Sequence, residues 1–403
     1  MSPHPTERLP KGDPRDVGAP GGLDHEGFGS VDVPKVPPPQ AVDQLQQVLD
    51  SPEVASLIRT LQEVRWTGRP GYSVRSMVGM CLVKSLYALP TWSRTVRLVA
   101  EHDGLQRVLG CAPSQWACYR FAKMLRERDA WALARCLDDV LGALRHEHPD
   151  MGQNVAVDAS DLPAYANGHR LNHDGTERNY SDPDASWGHR SAVSTRGKGG
   201  FYGYKVHAAI CANTDLPLAW SVQTAKESEH NLALPLIDKT KALGFDVRTA
   251  IMDKGYDSEG LHFFLMQRGI APVIALKETG PVKRGKAEPP HCVHGEWTFA
   301  GADYKRRATK WRCPSGECKP GSMWLNADRM HPLIPRESKR FRHLYNSRSS
   351  VEREFGRLKH EWALLPLRTR GIARVQLHAD LTILAKLACA LAKDRATALP
   401  VAA

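Results

Sequence analysis

At residues 154–160 the chain reads NVAVDAS, a short β-branched run that ends on an acid, and the sequence before it has a different texture. From about Ala41 to His148 the pattern is helical. VDQLQQVLD, VRSMVGMCLVKSLYAL, WSRTVRLVAEH and ACYRFAKMLRERDAWALARCLDDVLGALRHE repeat apolar residues every three or four positions, with breaks at Leu89-Pro90 and Ala112-Pro113. After NVAVDAS the strand-like runs GYKVHAAICA, LPLAWSVQTA, VRTAIMD and APVIAL follow, with the helical ALPLIDKTKALG between the third and fourth strands. Three strands, a helix, a strand, a helix and a strand predict an α/β domain behind an all-helical N-terminal one.

Outward from that core, residues 1–40 hold nine Pro and six Gly with few large apolar groups, and are expected to form a disordered tail. The helical domain is expected over 41–150, and the α/β domain over 151–277 and 341–395. Residues 278–340 interrupt it with Lys, Gly, Pro and Cys and read as an insertion before the last helices. Those helices are predicted at Leu344–Glu361 and Val375–Lys393, separated by Pro366 and Gly371.

The 55 Lys and Arg exceed the 44 Asp and Glu, giving a formal net charge of +11 and favouring a polyanionic partner. The excess is local: Arg336 to Arg370 carries ten Lys or Arg against four Glu. The nine cysteines are odd in number and scattered through apolar surroundings, which points to reduced thiols and a cytoplasmic, nucleoid-associated protein. The charged, proline-rich start has no apolar signal region, and no stretch is expected to reach membrane-spanning length.

Three acids stand in settings suited to hard cations. Asp158 ends the first strand, Asp253 ends the fourth in AIMDKGYDS, and Glu352 lies on the helix YNSRSSVEREFGRLK. The alternative for a strand-end Asp is a turn or cap. Asp161, Asp182, Asp184 and Asp257 are read as loop or cap residues, with Asp257-Ser258 capping SEGLHFFLMQ. On a helical wheel started at Tyr345, Arg348, Glu352 and Lys359 fall at about 300°, 340° and 320°, one polar stripe, while Glu354 falls near 180°. Val351, Phe355 and Leu358 make the apolar face. The alternative is a solvated charged face.

Tyr345, Arg348, Glu352 and Lys359 match the Y-x2-R-x3-E-x6-K signature, and the chain resembles insertion-sequence transposases of the DDE type. VAVDASDLPAYANG and DKGYDS look like that family's first and second catalytic stretches, and GRPGYSVRSMVGMCLVKSLYAL like its front domain. The resemblance implies a ribonuclease-H-like catalytic domain in which Asp158, Asp253 and Glu352 bind two Mg2+ or Mn2+ ions. It also implies that Tyr345, Arg348 and Lys359 contact DNA near the cut. The implied reaction is cleavage at the terminal inverted repeats of a bacterial insertion sequence and strand transfer to target DNA. The implied partner is double-stranded DNA, bound by a homodimer or larger assembly, with no membrane. Two rivals remain: a nuclease that cuts without joining, and a non-catalytic regulator descended from a transposase.

In the insertion, Cys292, His294, Cys313 and Cys318 can supply four ligands to a structural Zn2+, or stay as unligated residues, since C-x-H and C-x4-C are not the usual knuckle spacings. His169, His173, His189 and His207 are expected at the surface or near DNA. STRGKGGFYGYK reads either as a mobile loop or as part of a DNA channel.

Overall fold

The computed structural model describes residues 39–63, 71–168, 180–190, 199–277 and 289–398. The expected tail over 1–40 therefore lies almost wholly outside the described residues, as do His169, His173 and the first five residues of STRGKGGFYGYK.

The front of the chain is helical: α1 (Pro39–Asp50), α2 (Pro52–Glu63), α3 (Val74–Leu86), α4 (Trp92–Glu101), α5 (Asp103–Leu109), α6 (Gln115–Glu127) and α7 (Ala130–Glu147). Several starts are fixed by side-chain caps. Ser73 accepts from the Ser76 amide at 3.0 Å, and Ser114 from the Ala117 amide at 3.3 Å, each satisfying a donor that the first helical turn leaves unpaired. Helix α3 is buried nearly all round, so its sequence carries no polar face.

The sheet begins with β1 (Asn154–Pro163), β2 (Ser186–Arg190), β3 (Gly199–Cys211) and β4 (Pro217–Thr224). Helix α8 (Glu229–Ala242) then crosses to β5 (Thr249–Met252), and α9 (Glu259–Gln267) leads to β6 (Ala271–Ile274). The strand order is β4–β3–β1–β5–β6, with β2 paired to the first residues of β3. Strands β1, β3 and β4 are antiparallel, whereas β1–β5 and β5–β6 are parallel. All four residues of β5 and of β6 are buried, as expected of parallel strands covered on both faces. The sequence pattern had not revealed β2, whose SWGHR carries no apolar alternation. FYGYK, offered as loop or channel, belongs to β3.

The insertion contains a hairpin, β7 (His291–Cys292) and β8 (Gly295–Glu296), and a three-stranded sheet of β9 (Thr298–Asp303), β10 (Ala308–Arg312) and β11 (Ser322–Asn326). The chain closes with α10 (Lys339–Asn346), α11 (Ser349–His360) and α12 (Ile372–Ala398). Two expectations are corrected here. The single helix over Leu344–Glu361 is two helices, joined through Ser347 and Arg348. Helix α12 contains a stretch, Ile372–Thr397, long and apolar enough to cross a membrane by length and composition, contrary to the reading that no stretch reaches that length. Its apolar window is 67% buried inside the protein, where α12 packs on α1, α3 and α7 and on β4. It is a core helix shared by the helical layer and the sheet.

Candidate active site

Asp158 does not end β1 as expected but sits within it, since pairing with β3 carries the strand on to Pro163, whereas Asp253 directly follows β5. The parallel register pairs Asn154 with Thr249 and Ala156 with Ile251, so two further residues along each strand bring Asp158 and Asp253 side by side. Neighbouring strands lie about 4.8 Å apart, and the two acids share one end of the sheet. Apolar strand residues lead up to both, which fixes their backbone. Asp158 accepts the Ala159 amide at 2.8 Å, and Asp253 accepts the Gly255 amide at 2.7 Å. Asp253 thus also caps the short 3-10 turn Lys254–Tyr256. The Asp158 carboxyl is pushed up to about 7, first by burial. Asp253 and Glu229 add to that rise, while the Ala159 amide and Arg348 oppose it.

Arg348 links this strand end to the final acid. Its Nη1 is 3.6 Å from Asp158 Oδ2, and its Nη2 donates to Glu352 Oε1 at 2.7 Å. Helix α11 packs on β1 and β3 through Val351, Phe355 and Leu358, all buried. Glu352 stays more than half exposed. Tyr345, on α10, stacks on Phe341 with ring centroids 5.6 Å apart. Its phenol is raised chiefly by burial, with Arg348 lowering it and Asp253 raising it. Tyr345, Arg348, Asp158, Asp253 and Glu352 therefore form one electrostatic neighbourhood. Lys359 lies two turns beyond Glu352, about 10 Å along the axis. Among the described residues the three carboxylates do not all close to within 4.8 Å of one another.

The wheel drawn through Tyr345 and Glu352 as one helix does not hold. Between Leu344 and Val351 the bonds run to the third residue back: Ser347 to Leu344, Arg348 to Tyr345, Ser350 to Ser347 and Val351 to Arg348. That tightens the winding to about three residues per turn. Serine side chains compete for the same carbonyls, with Ser347 Oγ donating to Leu344 O at 2.6 Å and Ser349 Oγ to Asn346 O at 3.0 Å.

Glu354, placed on the wheel away from the polar stripe, faces the interior. It is fully buried, with Oε2 3.3 Å from Lys386 Nζ on α12 and 3.8 Å from Arg357. Burial pushes its carboxyl up to about 7, against the pull of Lys386. Arg353 grips Asp215, in the β3–β4 turn, through Nε at 3.0 Å and Nη2 at 2.7 Å, and Arg357 adds a contact at 3.0 Å. Part of the positive charge of the 336–370 stretch, on Arg353 and Arg357, thus pairs with the protein's own acids and helps dock α11 against the β3–β4 turn.

Sequence reasoning missed several neighbours of the site. Glu229, the first residue of α8, is held by Lys205 at 2.6 Å and acts electrostatically on Asp158. Tyr256 is buried with its hydroxyl unpaired, and burial together with Asp158, Glu229 and Asp253 raises its phenol. The KGY turn after Asp253 was the available signal for Tyr256. His207 is buried on β3, not at the surface, and burial pushes its imidazole down to about 4. Asp257 is no cap. Ser258 caps α9, while Asp257 is buried and accepts from Arg329 at 2.6 Å and from the Lys277 amide at 2.8 Å. Asp182, read as a loop acid, is buried too and accepts from Tyr204 and the Gly371 amide.

In the insertion the sulfurs of Cys292, Cys313 and Cys318 gather within 4.8 Å of one another. His294 lies outside that group, its Nδ1 3.6 Å from Glu317 Oε2.

A mixed sheet with one acid on a central strand and a second directly after the parallel strand beside it, and a third acid on a helix docked over them, defines a carboxylate-centred α/β protein. The family described as Transposase DDE domain matches residues 151–387, and the chain belongs to it. A second family, Transposase domain (DUF772), matches residues 33–126. No curated protein matches the sequence. Among solved structures, the cryo-EM structure of a piggyBac transposase synaptic complex with hairpin DNA aligns at 12% identity. The alignment covers 89% of this chain and 76% of that one, with a TM-score of 0.37.

Proposed function

We propose that the protein is the DNA transposase of a bacterial insertion sequence, cutting the element's ends and joining the freed 3′-hydroxyls to target DNA. What supports this reading is the Arg348 guanidinium between Asp158 and Glu352, with Asp253 following the strand parallel to β1, in a chain of the transposase DDE family. The strand order β4–β3–β1–β5–β6 supports a ribonuclease-H-like catalytic fold.

The residues fit divalent cations that seek oxygen. The donors are carboxylates: burial first, then the nearby Asp253 and Glu229, raises the Asp158 carboxyl, and the buried Tyr256 hydroxyl beside them is unpaired. In this reading Asp158, Asp253 and Glu352 hold two Mg2+ or Mn2+ ions, which when bound activate the attacking hydroxyl and stabilise the leaving oxygen. The chain's own part is to hold the three acids on rigid elements and to present Arg348, Tyr345 and Lys359 to the phosphodiester strand. Arginine and lysine neutralise phosphate through charge-assisted hydrogen bonds. Two element ends handled together call for at least two subunits.

A two-ended donor plasmid incubated with the purified chain, target DNA and Mg2+ tests this reading. Joined products with both ends attached to target support a transposase. Cut ends with no joined product would indicate a nuclease, and binding without cutting a regulator.

A further inference from the structure

We propose that the insertion binds one structural zinc ion through Cys292, Cys313, Cys318 and His294. The sulfurs of Cys292 on β7 and of Cys313 and Cys318 in the β10–β11 loop lie within 4.8 Å of one another, and Cys292 Sγ lies 3.7 Å from Cys313 Sγ. Zn–S bonds of about 2.3 Å in a tetrahedron place sulfurs about 3.8 Å apart, whereas a disulfide requires about 2.05 Å. The loop CPSGEC from Cys313 to Cys318 is shaped to turn both sulfurs inward. Gly316 takes a positive φ of 76° and its amide donates to Cys313 O at 3.3 Å.

The packing of the module gives an independent reason. Its buried apolar cluster is Trp297, Trp311 and Cys313, with Cys292, Cys318, Met323 and Leu325 packed against it. Three of those seven are the cysteines themselves. A β-module with so small a core does not ordinarily hold itself together by burial alone, and a metal is one of the standard substitutes. Three thiolates and an imidazole suit zinc, not the hard cations proposed for the acids. His294 stands on the β7–β8 turn, two residues from Cys292 and beside Glu317, the neighbour of Cys318. Turning its ring inward completes four ligands.

Elemental analysis of the full chain, purified under reducing conditions, should find one zinc per chain. Cobalt substitution should give a sulfur-to-metal charge-transfer band. Cys313→Ser with Cys318→Ser should lose both signals, and His294→Ala should weaken retention against a chelator by at least about tenfold. Asp158→Asn should keep the zinc, so loss of cleavage and loss of zinc are separate results. A chain without zinc whose cysteines all titrate as free thiols overturns the site. Full zinc retention in the double cysteine variant does the same, and unchanged retention in His294→Ala removes the fourth ligand.

A different observation carries a second inference, which rests on the transposase reading. A cleft of about 530 Å³ between α3, α6, the start of α12 and the loop before it is lined by Lys84, Lys123, Arg126, Arg368, Arg370 and Arg374, and by no carboxylate. Lys123 and Arg126 share Glu127 outside the cleft, but among the described residues no acid pairs with Lys84, Arg368, Arg370 or Arg374. Lys84 is nine-tenths buried, with the neutral ring of His378 at 3.4 Å and the Trp92 ring 5.9 Å away. Tyr165 carries Arg368 and Arg370 on its ring, each 5.1 Å from the centroid, and remains 45% exposed. We infer that this cleft receives a DNA strand, its phosphates on the arginines and a base against Tyr165.

Binding of a mixed-sequence duplex, with and without a single-stranded flap, should weaken about tenfold at moderate salt in Arg368→Gln with Arg374→Gln. The slope of log K against log salt should fall by about two. Both arginines are exposed, so thermal unfolding should be unchanged. Wild-type affinity and slope in the double variant overturn the inference. Competition by inorganic phosphate or a mononucleotide as effective as DNA also overturns it, in favour of a small-anion site.

Discussion

Arg348 Nη1 lies 3.6 Å from Asp158 Oδ2, so a guanidinium stands where the acids would otherwise face one another, and its other nitrogen holds Glu352 at 2.7 Å. In this state the arginine supplies the positive charge that the carboxylates need. Cation binding and arginine binding therefore compete until phosphate offers Arg348 another partner.

That competition makes Arg348→Gln informative. Removing a unit charge at this range is worth about 1 kcal/mol in water and about 4 kcal/mol near a protein surface. Without DNA, the variant should bind Mn2+ at least about tenfold more tightly than wild type by calorimetric titration. Its end cleavage should nevertheless fall, because the strand loses a phosphate partner. Equal or weaker Mn2+ affinity would mean that Arg348 does not guard the site.

Glu354 and Glu352 are two residues apart and should fail in opposite ways. Glu354→Ala leaves Lys386 without its carboxylate among buried residues, and should destabilise the fold by about 3 kcal/mol, read as a lowered unfolding temperature. Glu352→Gln should unfold like wild type, because the removed charge is exposed and paired only with Arg348. A destabilised Glu352→Gln with an unaffected Glu354→Ala would reverse the packing described for α11.

Asp257 ties the end of the insertion to the sheet through Arg329. Opposing the cost of its burial, the His262 ring at 3.2 Å and hydrogen bonds from Arg329 and the Lys277 amide hold its carboxyl well below the usual range. A depressed acid stabilises the fold above its unfolded value of about 3.9, and that contribution disappears as pH falls through the folded value. Asp257→Asn should lose about 3 kcal/mol at neutral pH and show a flatter acid limb in urea titrations. A parallel pH profile for the variant and wild type would contradict this.

The two acids were legible because buried strands are written as short apolar runs, so an acid closing such a run stands out in TAIMD and VAVD, although β1 itself runs on to Pro163 in its antiparallel pairing with β3. Cys292, Cys313 and Cys318 could be singled out by residue type, although only the fold shows that they meet and that His294 stands aside. The break before Arg348 was not legible, because YNSRSSVERE keeps helical periodicity while its serines bond back to carbonyls. Nor was the burial of Glu354, which depends on Lys386, 32 positions later on a helix whose packing no local pattern specifies. Asp257 and Arg329, 72 residues apart, pose the same difficulty. A wheel separates Glu352 from Glu354 but cannot show what packs on the other side of the helix.

The central claim is that Asp158, Asp253 and Glu352 act together on DNA. It is tested most directly by end cleavage with Mg2+ by Glu352→Gln, measured beside its affinity for the same end. The account predicts DNA binding within about threefold of wild type and cleavage reduced by on the order of a thousandfold or more. Cleavage at the wild-type rate by a correctly folded Glu352→Gln would contradict it.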